Sequence, residues 1–268
     1  MHTQHKIAIG FIIYKPENSF IERLNKATLD GFKIYIFDNS PEESNVRDFC
    51  LSRGEIVYLT IGKNIGLGLG MSSICAQAYY EGNSALLFFD QDTIFESATL
   101  SFIESYYINH NILEATYSAV VFDASNRQNS TSGDVLQDVK VAINSGSLFF
   151  LKNLKNIGWH NESYFVDGVD YEFCLNSKRN GFKVGKFART PGFDHSTEQA
   201  DKKYRIFQKT LILRAYPLFR VRDNLKSSCK LLFSALLSFE FEFAALILKF
   251  ASVFLVVQVL SRFLRPVK

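Results

Sequence analysis

The chain has 268 residues, 47% of them hydrophobic and 21% charged, which suits one α/β domain with an appendage and excludes a disordered or fibrous protein. A formal net charge of +3 is too small to mark a nucleic-acid binder, so no nucleic-acid partner is expected. Cys50, Cys75, Cys174 and Cys229 are scattered without zinc spacing and read as reduced, buried thiols, and MHTQHKIAIGF carries no signal-peptide pattern, so a cytoplasmic location is expected.

Lys6–Tyr14 (KIAIGFIIY) is β-branched and aromatic and stops before Pro16, which predicts a buried first strand. Asn18–Asp30 sets Phe20, Leu24, Ala27 and Thr28 at helical spacing. Lys33–Phe37 predicts a second strand running into the turn Asp38-Asn39-Ser40-Pro41, and Ile56–Leu59 a third. A glycine-rich stretch, Gly62–Gly70, then introduces a helix over Met71–Tyr80, and Ala85–Phe89 is a fourth strand ending at Asp90. Strands alternating with helices predict a mostly parallel sheet flanked by helices, with ligands beyond the carboxyl ends of its strands. Asp38 and Asp90 both fall at such ends. Further on, Ser97–Tyr107 predicts a helix, and Thr116–Phe122 and Val139–Ile143 predict strands around a polar loop, Asp123–Asp138. Ser147–Leu151 predicts another strand, Val169–Asn180 a helix stopped by Gly181, and Phe182–Phe187 a final strand.

The last segment differs in character. A basic run (Lys202, Lys203, Arg205, Lys209, Arg214, Arg220, Arg222, Lys226, Lys230) leads into Leu231–Phe239 and Phe243–Leu260, which are apolar apart from Glu240, Glu242 and Lys249. A spanning helix needs ~20 mostly apolar residues, which Ala244–Leu260 approaches only if Lys249 is buried or snorkels. Helices lying in the membrane interface are the favoured expectation, with the basic flanks on anionic headgroups. A hairpin covered by a partner subunit, in a homo-oligomer, is the alternative. The expected division is a catalytic domain over 1–224 and membrane-associating helices over 225–268.

Chemistry gathers on acidic residues. Asp90-Gln91-Asp92 puts two carboxylates at a strand end, where they can share a hard divalent ion that keeps water and phosphate oxygens as its other ligands; a solvated turn would look the same. Asp38 can bond a ribose hydroxyl or base imide, or simply make an Asx-turn or a helix N-cap. GKNIGLGLG has neither the spacing of a dinucleotide fingerprint nor a Walker ending, and leaves only a glycine-rich turn that a nucleotide could approach. Asp167, Asp170 and Glu172 in FVDGVDYEFCL mark a helix start, where a carboxylate suits the dipole or serves as general base. His195 in PGFDHS becomes a metal ligand only beside a carboxylate.

In this order, from Lys6 to Asn224, the segments resemble family 2 glycosyltransferases of the GT-A fold, most closely a bacterial rhamnosyltransferase-like branch. IFDNS is similar to the strand whose aspartate, here Asp38, binds base and ribose. KNIGLGLG resembles the segment packing beside the nucleotide, at Asn64 and Gly66. LLFFDQDT looks like the Asp-x-Asp strand end, with Asp92 the direct metal ligand and Asp90 and Gln91 on the nucleotide sugar. INSGSLFF is similar to the sugar-lining segment, at Ser145 and Gly146. VDYEFCLNSKRNGF resembles the acidic helix start, giving Asp170 the base position and Glu172 the second acidic position. Val169 stands where many members have Glu, and Asn176 where they have Arg. His195 falls on the family's metal-binding histidine, and Arg222-Asp223-Asn224 echoes an Arg-Asn of a C-terminal helix.

The resemblance implies an inverting, Mg²⁺- or Mn²⁺-dependent glycosyltransferase. Its donor would be dTDP-L-rhamnose, or alternatively a UDP-hexose or UDP-galactofuranose. Its acceptor would be a lipid-linked glycan of O-antigen type on the inner face of a bacterial plasma membrane. A nucleotidyltransferase would carry a glycine- and lysine-rich loop after the first strand, which IIYKPENSF lacks. A polysaccharide synthase would add Gln-x-x-Arg-Trp and several spans. A non-catalytic membrane-interaction protein would leave the acidic strand ends unexplained.

Overall fold

The computed structural model describes residues 7–42, 45–110, 113–122, 136–187, 193–195, 202–206 and 209–264. The expected loop Asp123–Asp138 therefore lies largely outside the described residues. Two compact units emerge: Met1–Phe165 with Val169–Ser196, and Val166–Gly168 with Thr197–Lys268.

The first unit is built on β1 (Ile7–Ile13), whose Ile7, Ala8, Ile9, Phe11 and Ile13 are all buried. Gly10 in its middle is a packing requirement, since a Cβ there would lie 2.6 Å from Leu86 Cδ2 and 2.9 Å from Ile74 Cδ1. Helix α1 (Ser19–Leu29) buries Phe20 and Leu24, and Phe20 meets Phe11 edge-on at 5.2 Å. β2 (Lys33–Asp38), α2 (Asn45–Leu51) and β3 (Ile56–Thr60) follow. α3 (Leu67–Tyr80) begins four residues earlier than its sequence suggested, because Gly68 and Gly70 are taken into the helix. Next come β4 (Ala85–Asp90), β5 (Thr93–Phe95), α4 (Ser97–Asn109), the short α5 (Leu113–Thr116) and β6 (Tyr117–Phe122).

β7 (Leu136–Val139) corrects the expected strand Val139–Ile143. It pairs antiparallel with β9 only as far as Val139↔Val184, after which the chain leaves the sheet, the Ile143 carbonyl accepting a bond from Ser147 Oγ. β8 (Ser147–Phe150) runs straight into α6 (Leu151–Ile157), which the sequence pattern had hidden at the end of a strand. α7 (Val169–Arg179), β9 (Lys183–Phe187) and β10 (Phe193–His195) complete the unit.

Among the described residues the main sheet has the order β3-β2-β1-β4-β8-β6-β9-β7. The β3-β2-β1-β4 half is all parallel, whereas β8 runs antiparallel to both its neighbours. Register sets Asp38 opposite Ile13 and Asp90 opposite Ile12. The two aspartates thus flank the end of β1 at one edge of the sheet, ~10 Å apart by two strand spacings.

The second unit holds the antiparallel hairpin β11 (Lys202–Ile206) and β12 (Lys209–Leu213), then α8 (Leu218–Leu237) and α9 (Phe241–Phe263). Both helices begin earlier than the apolar runs implied, and Asn224 lies inside α8. None of the four cysteines is in a disulfide; Cys50, Cys75 and Cys174 are buried as expected, but Cys229 is exposed on α8.

Candidate active site

Asp90 ends β4, and Gln91 and Asp92 turn the chain into β5. The Asp90 N–H donates to Ser145 Oγ at 3.1 Å, and that hydroxyl lies 2.9 Å from Thr93 Oγ1. Ser145 is only 2% exposed, so it braces the end of β4 and does not face solvent. Gly146 turns the chain with φ 79° and donates its N–H to the Phe88 carbonyl at 2.8 Å, fixing the brace.

Asp170 occupies the first turn of α7, its Oδ1 accepting the Tyr171 N–H at 2.9 Å. Burial, then the charge of Asp92, then that of Asp170 push the Asp90 carboxyl up to about 7. The fold therefore brings Asp90, Asp92 and Asp170 within electrostatic reach although Asp170 is distant in sequence. Glu172 accepts from Asn161 Nδ2 at 3.2 Å. β10 pairs antiparallel with β5 so that His195 stands opposite Thr93, the residue after Asp92. The backbone thus carries the expected histidine to the acidic strand end.

Asp38 sits differently. It is 1% exposed, with Oδ1 accepting the Ser40 N–H at 2.7 Å and Oδ2 accepting the Tyr58 hydroxyl at 2.6 Å. The Asx-turn foreseen as its alternative role is what it makes. Asn39 carries the connection onward: its Oδ1 accepts from Ile65 N at 3.1 Å and its Nδ2 donates to the Gly66 carbonyl at 3.2 Å. Asn64 accepts the Gly66 N–H at 2.9 Å. Neither Asn39 nor Tyr58 was singled out in the sequence. Asn39 lay in a plain turn signal, and Tyr58 is matched to Asp38 only by strand pairing.

Gly66 and Gly68 of GKNIGLGLG answer to packing. A Cβ on Gly66 would lie 2.5 Å from the Phe165 carbonyl, and one on Gly68 2.5 Å from that of Asn161. The Leu67 N–H donates to the Phe165 carbonyl and the Gly68 N–H to that of Tyr164 at 3.3 Å. The first turn of α3 is thereby capped by the 161–165 loop, which leads towards α7. Gln91 holds the loop after β1, its Oε1 accepting the Tyr14 N–H at 2.7 Å and its carbonyl accepting from Arg23 Nη2 at 2.6 Å. Lys15, in the left-handed region at φ 46°, donates its N–H to Ser40 Oγ at 2.8 Å. Asn176 donates to the Ile157 carbonyl at 2.9 Å and so caps α6.

In the second unit Asp167 pairs with Arg220 at 3.1 Å, and Asp223 accepts the N–H groups of Val166 and Asp167 at 3.1 and 2.9 Å. Asp167 is thus a structural acid.

Among the described residues no group of three His, Cys, Asp or Glu side chains forms a metal cage. A hard divalent cation bound partly by water and a substrate diphosphate needs fewer protein ligands. Asp92, at the strand end where burial and then the charges of Asp92 and Asp170 raise the Asp90 carboxyl, is a fitting donor for it, with His195 carried opposite Thr93 by β10.

No protein-family model matches the chain, and no curated protein does either. Solved structures do. A structure of S. aureus TarS 1-349 in complex with UDP-GlcNAc matches with TM-score 0.55 and 12% identity over 73% of this chain and 60% of that one. The fold is of the GT-A type. S. aureus TarS matches with TM-score 0.52 and 15% identity over 72% of this chain and 37% of its own. GalNAc-T7 with UDP, GalNAc and Mn²⁺ matches with TM-score 0.55 and 8% identity over 70% of this chain and 43% of its own. The chain thus spans less than two thirds of each of these proteins.

Proposed function

We propose that the chain is a metal-dependent, inverting glycosyltransferase of family 2 type that uses a nucleotide-sugar donor. The observation that carries this is the gathering of Asp90, Asp92 and Asp170 at the carboxyl edge of a GT-A-type sheet. A GT-A-type fold supplies the frame, and function is argued from the site.

In this reading Asp92 and His195 hold Mg²⁺ or Mn²⁺, which when bound would neutralise charge on the departing diphosphate. Asp170 takes the proton of an acceptor hydroxyl as it attacks the anomeric carbon from the face opposite the diphosphate. Asp90 orients the donor's ribose, and the Asp38–Asn39–Asn64 lattice keeps the nucleotide side of the edge in shape. Glu172 is the second acidic group near the acceptor. The resemblance in sequence supports dTDP-L-rhamnose as donor. A UDP-sugar is the second reading, supported by the UDP-GlcNAc and UDP complexes of similar structures. The acceptor proposed is a lipid-linked glycan met at the inner face of a bacterial plasma membrane, with α8 and α9 on the membrane surface.

A thermal-shift panel of dTDP, UDP and GDP, each with and without Mn²⁺, tests the reading. One nucleotide is expected to raise Tm only with metal, and Asp92→Ala to remove that metal dependence. No shift with any nucleotide, or metal dependence surviving in Asp92→Ala, would overturn it.

A further inference from the structure

α9 is long and apolar enough to cross a membrane by length and composition. Phe241, Leu248, Val256, Val259 and Phe263 are exposed along one side of it, and Phe250, Val253 and Leu255 are exposed as well. We infer that the α8–α9 hairpin instead lies flat in the lipid–water interface and binds anionic phospholipid headgroups. This rests on the membrane-contact part of the reading above and is independent of the donor chemistry.

Two features oppose a crossing. The first is a polar knot near the end of α9. Gln258, 3% exposed, accepts the Tyr216 N–H at 2.9 Å and donates to the Arg214 carbonyl at 3.0 Å. Arg262 donates to the Tyr216 carbonyl at 2.5 Å and to Gln258 Oε1 at 2.9 Å. The end of α9 is thus fastened to non-helical backbone just ahead of α8. Such backbone is not tolerated facing lipid hydrocarbon.

The second is α8, which packs against α9 and shares its turn at Ser238–Glu240. Arg222, Lys226 and Lys230 recur every four residues along one face of α8, with exposed Phe219 and Phe233 on the same face. Standing α9 across the bilayer would carry this cationic face into hydrocarbon, where ionised side chains are strongly disfavoured. Laid flat, the same face sets its cations at headgroup level and its aromatic rings in the interface, where such rings are favoured. Glu240 and Glu242 at the turn also stay at the polar surface.

The test uses the full chain and sealed vesicles of phosphatidylcholine with or without phosphatidylglycerol. Flotation is expected only with the anionic vesicles and is expected to weaken in high salt. Lys226→Glu combined with Lys230→Glu should lower partitioning by at least about tenfold, with helicity and lipid-free donor hydrolysis unchanged. In a Cys229→Ser background, Glu242→Cys and Phe263→Cys should both react with a membrane-impermeant maleimide added outside. One site protected until detergent is added would show a span and overturn the inference. Binding indifferent to lipid charge would overturn it as well. So would concentration-dependent dimerisation without vesicle binding, which would make a second copy the occupant of the stripe. Vesicle binding that fails while nucleotide binding persists would leave the donor reading standing.

Discussion

Asp38 and Asp90 end neighbouring strands on either side of β1, yet their surroundings make them opposites. Asp38 is sealed, its two oxygens occupied by Ser40 and Tyr58. Among the described residues no such neutral donors meet the Asp90 carboxyl; burial and two acidic neighbours drive it up to about 7. A strand-end aspartate is therefore not one kind of residue. Donors make it an architectural joint, whereas burial and then like charges raise its carboxyl at an acidic strand end.

The contrast predicts stability changes of opposite sign. Asp38→Ala should cost ~3 kcal/mol in chemical denaturation, since a buried hydroxyl and a backbone N–H lose their acceptor. Retained stability would mean that the lattice around Asn39 holds without it. Asp90→Asn should instead stabilise the metal-free protein by ~1–2 kcal/mol at pH 8. The sign follows from linkage. The folded state keeps the Asp90 proton up to about pH 7, while the unfolded chain releases it near ~4, so the native protein loses stability as pH rises through that window. The advantage of Asp90→Asn should therefore vanish near pH 4. A gain independent of pH would refute the electrostatic cause. The smallest effect is Tyr58→Phe, which removes the hydroxyl that Asp38 Oδ2 accepts and should cost ~1 kcal/mol, read from the denaturation midpoint.

The difference between the two aspartates was not legible in the sequence, which showed both as acids ending apolar strands. The strands themselves were. β1, β2, β3 and β4 were foreseen within a residue or two because each is a short β-branched or aromatic run closed by turn residues. What escaped was set by pairing across long separations. Tyr58 reaches Asp38 only because β3 aligns Tyr58 beside Ile36, and β7 leaves the sheet at Val139, opposite Val184 of β9. Gly66 and Gly68 looked like a ligand cradle, yet the 161–165 loop fills the space their missing side chains leave. His195 was foreseen through resemblance, while its place opposite Thr93 is set by the three-residue pairing of β10 with β5, too short to leave a periodic signal. Ser145 was foreseen as lining the sugar site, and the structure adds that its hydroxyl supports the Asp90 backbone.

The central claim, that the acidic edge is a catalytic centre for sugar transfer, is tested most directly by Asp170→Asn. Release of nucleoside diphosphate should be followed with the donor that the thermal-shift panel selects, alongside calorimetric binding of the same diphosphate with Mn²⁺. Turnover should fall by about 10²–10⁴-fold, with diphosphate affinity and Tm nearly unchanged, since a general base acts in the transition state and not in donor binding. Activity within a few fold of the unaltered protein would contradict the assignment.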